Sequence, residues 1–188
     1  MASNLEVKDY IPMPRRRVWH STLGNCEGFI YSSSGFPLFI LGPQWIYFLG
    51  FTLCFLCIIF LFIISAQHLM TPELSIFTWI SYILFVISFL YTGLADPGIQ
   101  FPISMSQQDI LKHFTDRKFC RVCEVLKEEG SLHCIECDLC IREKKFHSLI
   151  FGKCIGKNIY VWYKITRVFG MMTCCGILVS IAYAMIIH

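Results

Sequence analysis

Charged side chains are scarce in this 188-residue chain: Asp, Glu, Lys and Arg make up 15% of it, apolar residues 55%. Mean hydropathy is +0.58. A soluble domain carries about 25% charged residues, so this scarcity excludes an ordinary soluble class and puts a membrane protein first. The net charge of +3 is too small to argue for nucleic acid as a partner. An apolar signal core is also missing. The first forty-odd residues are polar, contain Pro12 and Pro14, and carry Glu6 and Asp9, so neither a cleavable secretory leader nor an acid-poor mitochondrial one is expected. Internal repeats and low-complexity tracts are absent.

What the chain does have is three apolar runs long enough to cross a bilayer, which takes about 20 helical residues. They are Trp45–Ala66, 74–94 and 168–187, and none contains Asp, Glu, Lys or Arg. One central charge would cost roughly 2.5–3.5 kcal/mol on insertion, so its absence is informative. The fold class expected is an α-helical integral membrane protein. It has three transmembrane helices and a small zinc-stabilised cysteine-rich domain between the second and third. The divisions are an amino-terminal arm (1–44), a helical hairpin (45–94), the cysteine-rich domain (95–167) and the third helix (168–188).

The sixteen Lys and Arg residues fall in two places. Lys8 and Arg15, Arg16 and Arg17 precede the first run; all others lie between Asp96 and Arg167. With three spans these regions share a side, and the positive-inside rule makes it the cytosol or its equivalent. Lys153, Lys157, Lys164 and Arg167 carry most of that argument, while Arg15–17 read as a solvated tail near lipid headgroups. His188 then lies on the opposite side. A reducing compartment favours metal binding over disulfides for clustered cysteines.

Along the chain, the arm reads as irregular with a turn-rich stretch at 24–35. Thr71-Pro72 closes the hairpin, and Asp96-Pro97-Gly98 is a turn. A short amphipathic helix is expected at 106–114, on which Ile110, Leu111 and Phe114 share a side. The aromatic run 159–163 leads into the third span. Gly176, Ser180 and Ala184 repeat at four-residue spacing, a face of small residues that packs either on the chain's own bundle or on a partner. Cys54 and Cys57 in the first span, Cys174-Cys175 and Cys26 read as ordinary small apolar residues, with Cys26, Cys174 and Cys175 open to acylation near the interface. His20, His68 and His113 read as surface residues.

The informative segment runs FCRVCEVLKEEGSLHCIECDLCIREKKFHSLIFGKC. It holds Cys120-x2-Cys123, His133, Cys134-x2-Cys137-x2-Cys140, His147 and Cys154. C-x2-C lets two thiolates from one tight turn reach the same ion, and zinc takes four N or S ligands in a tetrahedron. Eight ligands make two closed sites, hence structural ones, and the cofactor expected is two zinc ions. Each ion contributes about 10–16 kcal/mol to folding. Spacing alone leaves open which ligands share an ion.

This segment resembles the cysteine-rich domain of the DHHC palmitoyltransferase family, whose pattern is C-x2-C, then HC-x2-C-x2-C, then DHHC, then a Cys six residues on. All eight ligand positions match without insertion or deletion. Asp96-Pro97-Gly98 stands where the family keeps its DPG turn, and the stretch 24–43 resembles the juxtamembrane arm of one subgroup. The resemblance implies interleaved sites. Cys120, Cys123, His133 and Cys140 would hold one ion, and Cys134, Cys137, His147 and Cys154 the other.

The departures bear on function. In place of the DHHC tetrapeptide stand Lys145, Phe146, His147 and Ser148. The family's cysteine attacks acyl-CoA, its first histidine takes the proton and its aspartate orients that histidine; the second histidine binds zinc. Only the zinc-binding position survives. A serine hydroxyl needs an adjacent base, and Phe146 and Lys145 supply neither base nor orienter, so Ser148 reads as an exposed loop residue and no catalytic residue is assigned. Leu149-Ile150 replaces the family's Pro-Trp. Ile159 falls where the family's downstream asparagine stands, with Asn158 one place early. The sequence also ends after the third run, whereas the family has a fourth span. The function expected is a catalytically inactive, DHHC-like structural or accessory subunit of a larger membrane complex. The alternative is an active S-palmitoyltransferase moving an acyl group from acyl-CoA to protein cysteines. Expected partners are the lipid bilayer and other membrane subunits through the third helix; fatty acyl-CoA is the less favoured ligand. The resemblance implies an endomembrane (endoplasmic reticulum or Golgi), and nothing in the residues distinguishes this from another organelle, such as the mitochondrial inner membrane.

Overall fold

The computed structural model describes residues 20–32, 37–67, 70–101 and 119–187. The helix expected at 106–114, together with Arg15–17, His68, His113 and His188, lies outside them.

Three long helices dominate: α1 (Trp45–Ala66), α2 (Pro72–Leu94) and α3 (Tyr160–Ile187). All three are long and apolar enough to cross a membrane. Most of the α1 surface is exposed apolar side chain, which suits lipid rather than water. Thr71 caps α2, its hydroxyl accepting from Leu74 N–H, and Pro72 occupies the first turn, where a missing N–H costs nothing. Against the expected 168–187, α3 begins eight residues earlier. Lys164 and Arg167 interrupt the apolar run without interrupting the helix, because their stems lie against aromatic faces. The Lys164 ammonium sits 4.5 Å from the Tyr160 ring centroid, and the Arg167 guanidinium 5.9 Å from that of Tyr163. The aromatic run 159–163 is therefore the start of the helix rather than a lead into it.

The helices meet around Phe48, Phe85 and Phe89, with Phe151 from the cysteine-rich module inserted at 4.9 Å from Phe89. Buried Thr92 and Thr166 join α2 to α3 at 3.3 Å, and Tyr82 donates to Leu56 carbonyl on α1 at 2.9 Å. A side chain's first carbon at Gly176 would collide with Thr78, and Ser180 is fully buried. The small-residue face is thus turned onto the chain's own second span at Gly176, so a partner helix is not needed to account for that residue. Close backbone approach accounts for it.

The arm is not irregular. Its described part forms an antiparallel meander of β1 (His20–Leu23), β2 (Cys26–Tyr31) and β3 (Pro37–Leu41). Neither β1 nor β3 alternates cleanly in polarity, so the pairing was not visible from pattern alone. What holds the sheet is contact distant in sequence: Asn25 N–H donates to Cys137 carbonyl, and the Asn25 side-chain amide to the carbonyl of Glu136, 111 residues away.

Candidate metal centre

Three two-stranded ladders build the cysteine-rich module: β4 (Phe119–Cys120) with β5 (Val125–Leu126), β6 (Leu132–Cys134) with β7 (Leu139–Ile141), and β8 (Phe146–Ser148) with β9 (Lys153–Ile155). Each C-x2-C turn ends in a residue with left-handed backbone, Glu124 after Cys123 and Asp138 after Cys137. That conformation costs a non-glycine residue energy. It is held here because it folds the turn back so that both sulfurs face one point.

Register does the rest. His133 lies opposite Cys140, and His147 opposite Cys154. Successive strand residues point to opposite faces, so His133 and Cys134, neighbours on β6, serve different centres. Donor atoms of Cys120, Cys123, His133 and Cys140 all lie within 4.8 Å of one another, as do those of Cys134, Cys137, His147 and Cys154. These are the interleaved groups implied by the resemblance. In the first, His133 Nδ1 stands 3.7 Å from Cys120 Sγ and 3.2 Å from Cys123 Sγ. In the second, His147 Nδ1 stands 3.6, 3.4 and 3.7 Å from the sulfurs of Cys134, Cys137 and Cys154, and Cys137 and Cys154 are 3.8 Å apart. No ligand position is left over for substrate.

The outer ring nitrogens are engaged as well. His147 Nε2 meets Gln44 Oε1 at 3.2 Å, and His133 Nε2 faces Asp138 Oδ1 at 3.7 Å. Such partners fix a ligating imidazole's orientation and tautomer. Crowded thiols also settle who carries charge. The Cys137 thiol is pulled down to about 2, chiefly by its contacts with Cys154 and Cys26, whose own thiols are pushed up by the same contacts. A cation held by this group would favour the thiolate form of all three cysteines. Cys26, read from sequence as an unremarkable thiol near the interface, is buried against this second group instead.

Lys153 is the residue that sequence reading placed wrongly. It is fully buried, its ammonium donating to Ile40 carbonyl at 3.1 Å and Ala95 carbonyl at 2.6 Å. Burial pushes it down to about 7. It therefore ties β9, the end of β3 and the end of α2 together, and its charge is not available to lipid headgroups. The turn at Asp96-Pro97-Gly98 forms as expected, with Asp96 Oδ1 accepting from Gly98 and Ile99 N–H. Asn158, one place early against the family pattern, still donates its amide to Asp96 Oδ2 at 3.2 Å.

At the tetrapeptide position, Ser148 is buried on β8 rather than exposed in a loop, and its oxygen accepts from Phe151 N–H at 3.4 Å. Strand pairing to Lys153 explains the difference. Phe146 packs edge-on to Tyr163 with centroids 5.3 Å apart. Lys145 lies 3.9 Å from Glu143 and over the Tyr160 ring.

A bundle of membrane-spanning helices capped by a module with two four-donor Cys/His groups is the class these features define. Residues 113–188 match the family model for DHHC palmitoyltransferases. It is 28% identical over 157 residues to human palmitoyltransferase ZDHHC13, covering 77% of this chain and 25% of that one. To palmitoyltransferase ERF2 of Kluyveromyces lactis it is 26% identical over 101 residues, 44% of this chain and 28% of the other. The chain thus spans about a quarter of the length of these curated relatives.

Proposed function

We propose that this chain is a catalytically silent DHHC-family protein, an accessory or structural membrane subunit whose module is built on two zinc ions. Zinc–thiolate and zinc–imidazole bonds of about 2.3 and 2.0–2.1 Å in a tetrahedron give ligand–ligand edges of about 3.5–3.8 Å. The donor spacings above sit on or slightly inside that range, and six thiols with two imidazoles suit zinc better than a harder cation.

The observation that carries the loss of catalysis is the commitment of His147. Its Nδ1 faces three sulfurs and its Nε2 faces Gln44, so no ring nitrogen is left to deprotonate Ser148. Phe146 has no basic atom, and Lys145 is a cation where the family keeps a carboxylate. The Ser148 oxygen is itself occupied by Phe151 N–H. A hydroxyl without a base is a poor nucleophile at neutral pH.

A second reading, acyl-chain or lipid binding without turnover, has one observation in its favour. A groove of about 420 Å³ runs between α1 and α3, lined by Phe51, Phe55, Phe85, Phe89 and Met171, with Arg167 and Thr166 also on its wall. The module side is assigned to the cytosol or its equivalent. Lys157, Lys164 and Arg167 support this, being exposed beside the start of α3. Likeness to the DHHC family supports an endomembrane location as part of this reading. Purification in mild detergent with mass spectrometry of bound proteins and lipids tests the reading. A stoichiometric partner chain supports the accessory role, bound acyl lipid alone favours the second reading, and a monomer with neither contradicts both.

A further inference from the structure

We infer that the β8–β9 loop of the cysteine-rich module is itself embedded in the bilayer, as a shallow apolar wedge beside the first turns of α1. Depth is the first argument. α1 has 22 residues and α2 has 23, about 33 and 35 Å of helix, against a hydrocarbon core of about 30 Å. Neither helix has turns to spare, and any tilt uses more of them, so their first and last turns stand at the hydrocarbon boundary.

The loop reaches past that boundary. Phe151 packs on Phe48 and Phe89, with centroids 6.3 and 4.9 Å away. Those residues lie three and five positions inside the helix ends, about 5 and 8 Å along the axis. Leu149 and Ile150 line one open hollow with Ile46, Tyr47, Gly50 and Phe51 of α1, and Ile150 also borders the groove between α1 and α3.

Exposure is the second argument. Phe151 is buried, but Leu149 and Ile150 are 68% and 47% exposed, next to Ile46 and Tyr47 at 67% and 69%. Four neighbouring apolar side chains open to water would be unfavourable by about 25 cal/mol per Å². The α1 face they continue is already bilayer-facing over its whole length. Lipid is therefore the occupant that continuity with this surface selects. Of the nearby cations, Lys153 points inward to backbone carbonyls, Lys164 stacks on Tyr160, and Arg167, which shares the groove wall with Ile150, lies over the Tyr163 ring.

Ile135 is the internal control. It is 82% exposed on the same module, at the tip of the Cys134-x2-Cys137 turn, and it lines neither of the hollows that Leu149 and Ile150 share with α1. The natural chain, reconstituted in phosphatidylcholine vesicles containing a lipid with a diazirine on its acyl chain, is illuminated and digested with trypsin after denaturation. Lys145 and Lys153 bound the peptide 146–153, and Lys127 and Arg142 bound the peptide 128–142 that contains Ile135. Labelling of 146–153 is expected to exceed that of 128–142 several-fold, with the carbene mapping to Leu149 and Ile150. Equal labelling of the two peptides overturns the inference. Changing Leu149→Asp and Ile150→Asp together should bring the label on 146–153 down to that of 128–142, while label persists on the fragment 18–112, which carries both α1 and α2.

Discussion

The two metal groups have the same donors and nearly the same spacing, yet they are set differently into the molecule. The first, Cys120, Cys123, His133 and Cys140, is closed by its own module: its outer imidazole nitrogen faces Asp138, four residues after Cys134. The second, Cys134, Cys137, His147 and Cys154, is a joint. Asn25 and Cys26 of the arm hold the Cys137 turn, Gln44 at the start of α1 holds His147, and Lys153 beside Cys154 binds the ends of β3 and α2. The family's tetrapeptide lies in this second group. Its histidine, the proposed zinc ligand His147, is therefore tied to arm, helix and module at once, a structural reason for it to persist where the chemical positions differ.

Ligand substitution separates the groups most sharply. His147→Ala should cost one proposed zinc and expose 20–41 to proteolysis or hydrogen exchange, because a closed zinc site contributes about 10–16 kcal/mol to folding. Cys123→Ala should also cost one zinc but leave 20–41 protected. Elemental analysis together with exchange mass spectrometry reads both. Equal deprotection in the two variants would break the distinction.

Lys153→Met should come next in size. It keeps the stem but strands two buried carbonyls, for a loss of about 2–4 kcal/mol, seen as a lower unfolding temperature in detergent with both metals still bound at ambient temperature. Gln44→Ala removes only the outer hydrogen bond to His147. Tenfold or somewhat more in affinity is the usual effect of such a partner, about 1.4 kcal/mol. Competition with a chromogenic chelator should show that weakening in one ion of the two. The smallest effect belongs to Glu128→Gln, which breaks an exposed pair with Arg142 at 3.2 Å and should leave melting unchanged within error.

Much of this was legible in the residues. An apolar run of 20 is a local property, and α1 matches its expected bounds; the ligand spacing and the family register supplied the metal groups. What was not legible depends on contacts distant in sequence. The meander is held by Cys137 and Glu136, more than a hundred residues beyond Asn25. Lys153 looked like a topogenic surface charge until β3 and α2 brought carbonyls to it. Ser148 looked exposed because a short polar stretch carries no sign of strand pairing. Gly176 and Ser180 were readable as a close-packing face, but spacing does not say which helix packs there, and Thr78 decides it. For Cys26 the one sign in the sequence is its place beside Gly24-Asn25, in the stretch that resembles the family arm.

The central claim is that this chain keeps the metal architecture of its family as structure while lacking its chemistry. Native mass spectrometry of the full chain after incubation with palmitoyl-CoA reads both halves at once, metal from the folded mass and acyl groups from the denatured one. The account predicts two zinc ions and no covalent palmitate. A stoichiometric acyl adduct on Ser148, resistant to neutral hydroxylamine and lost in Ser148→Ala with both zinc ions retained, would contradict it.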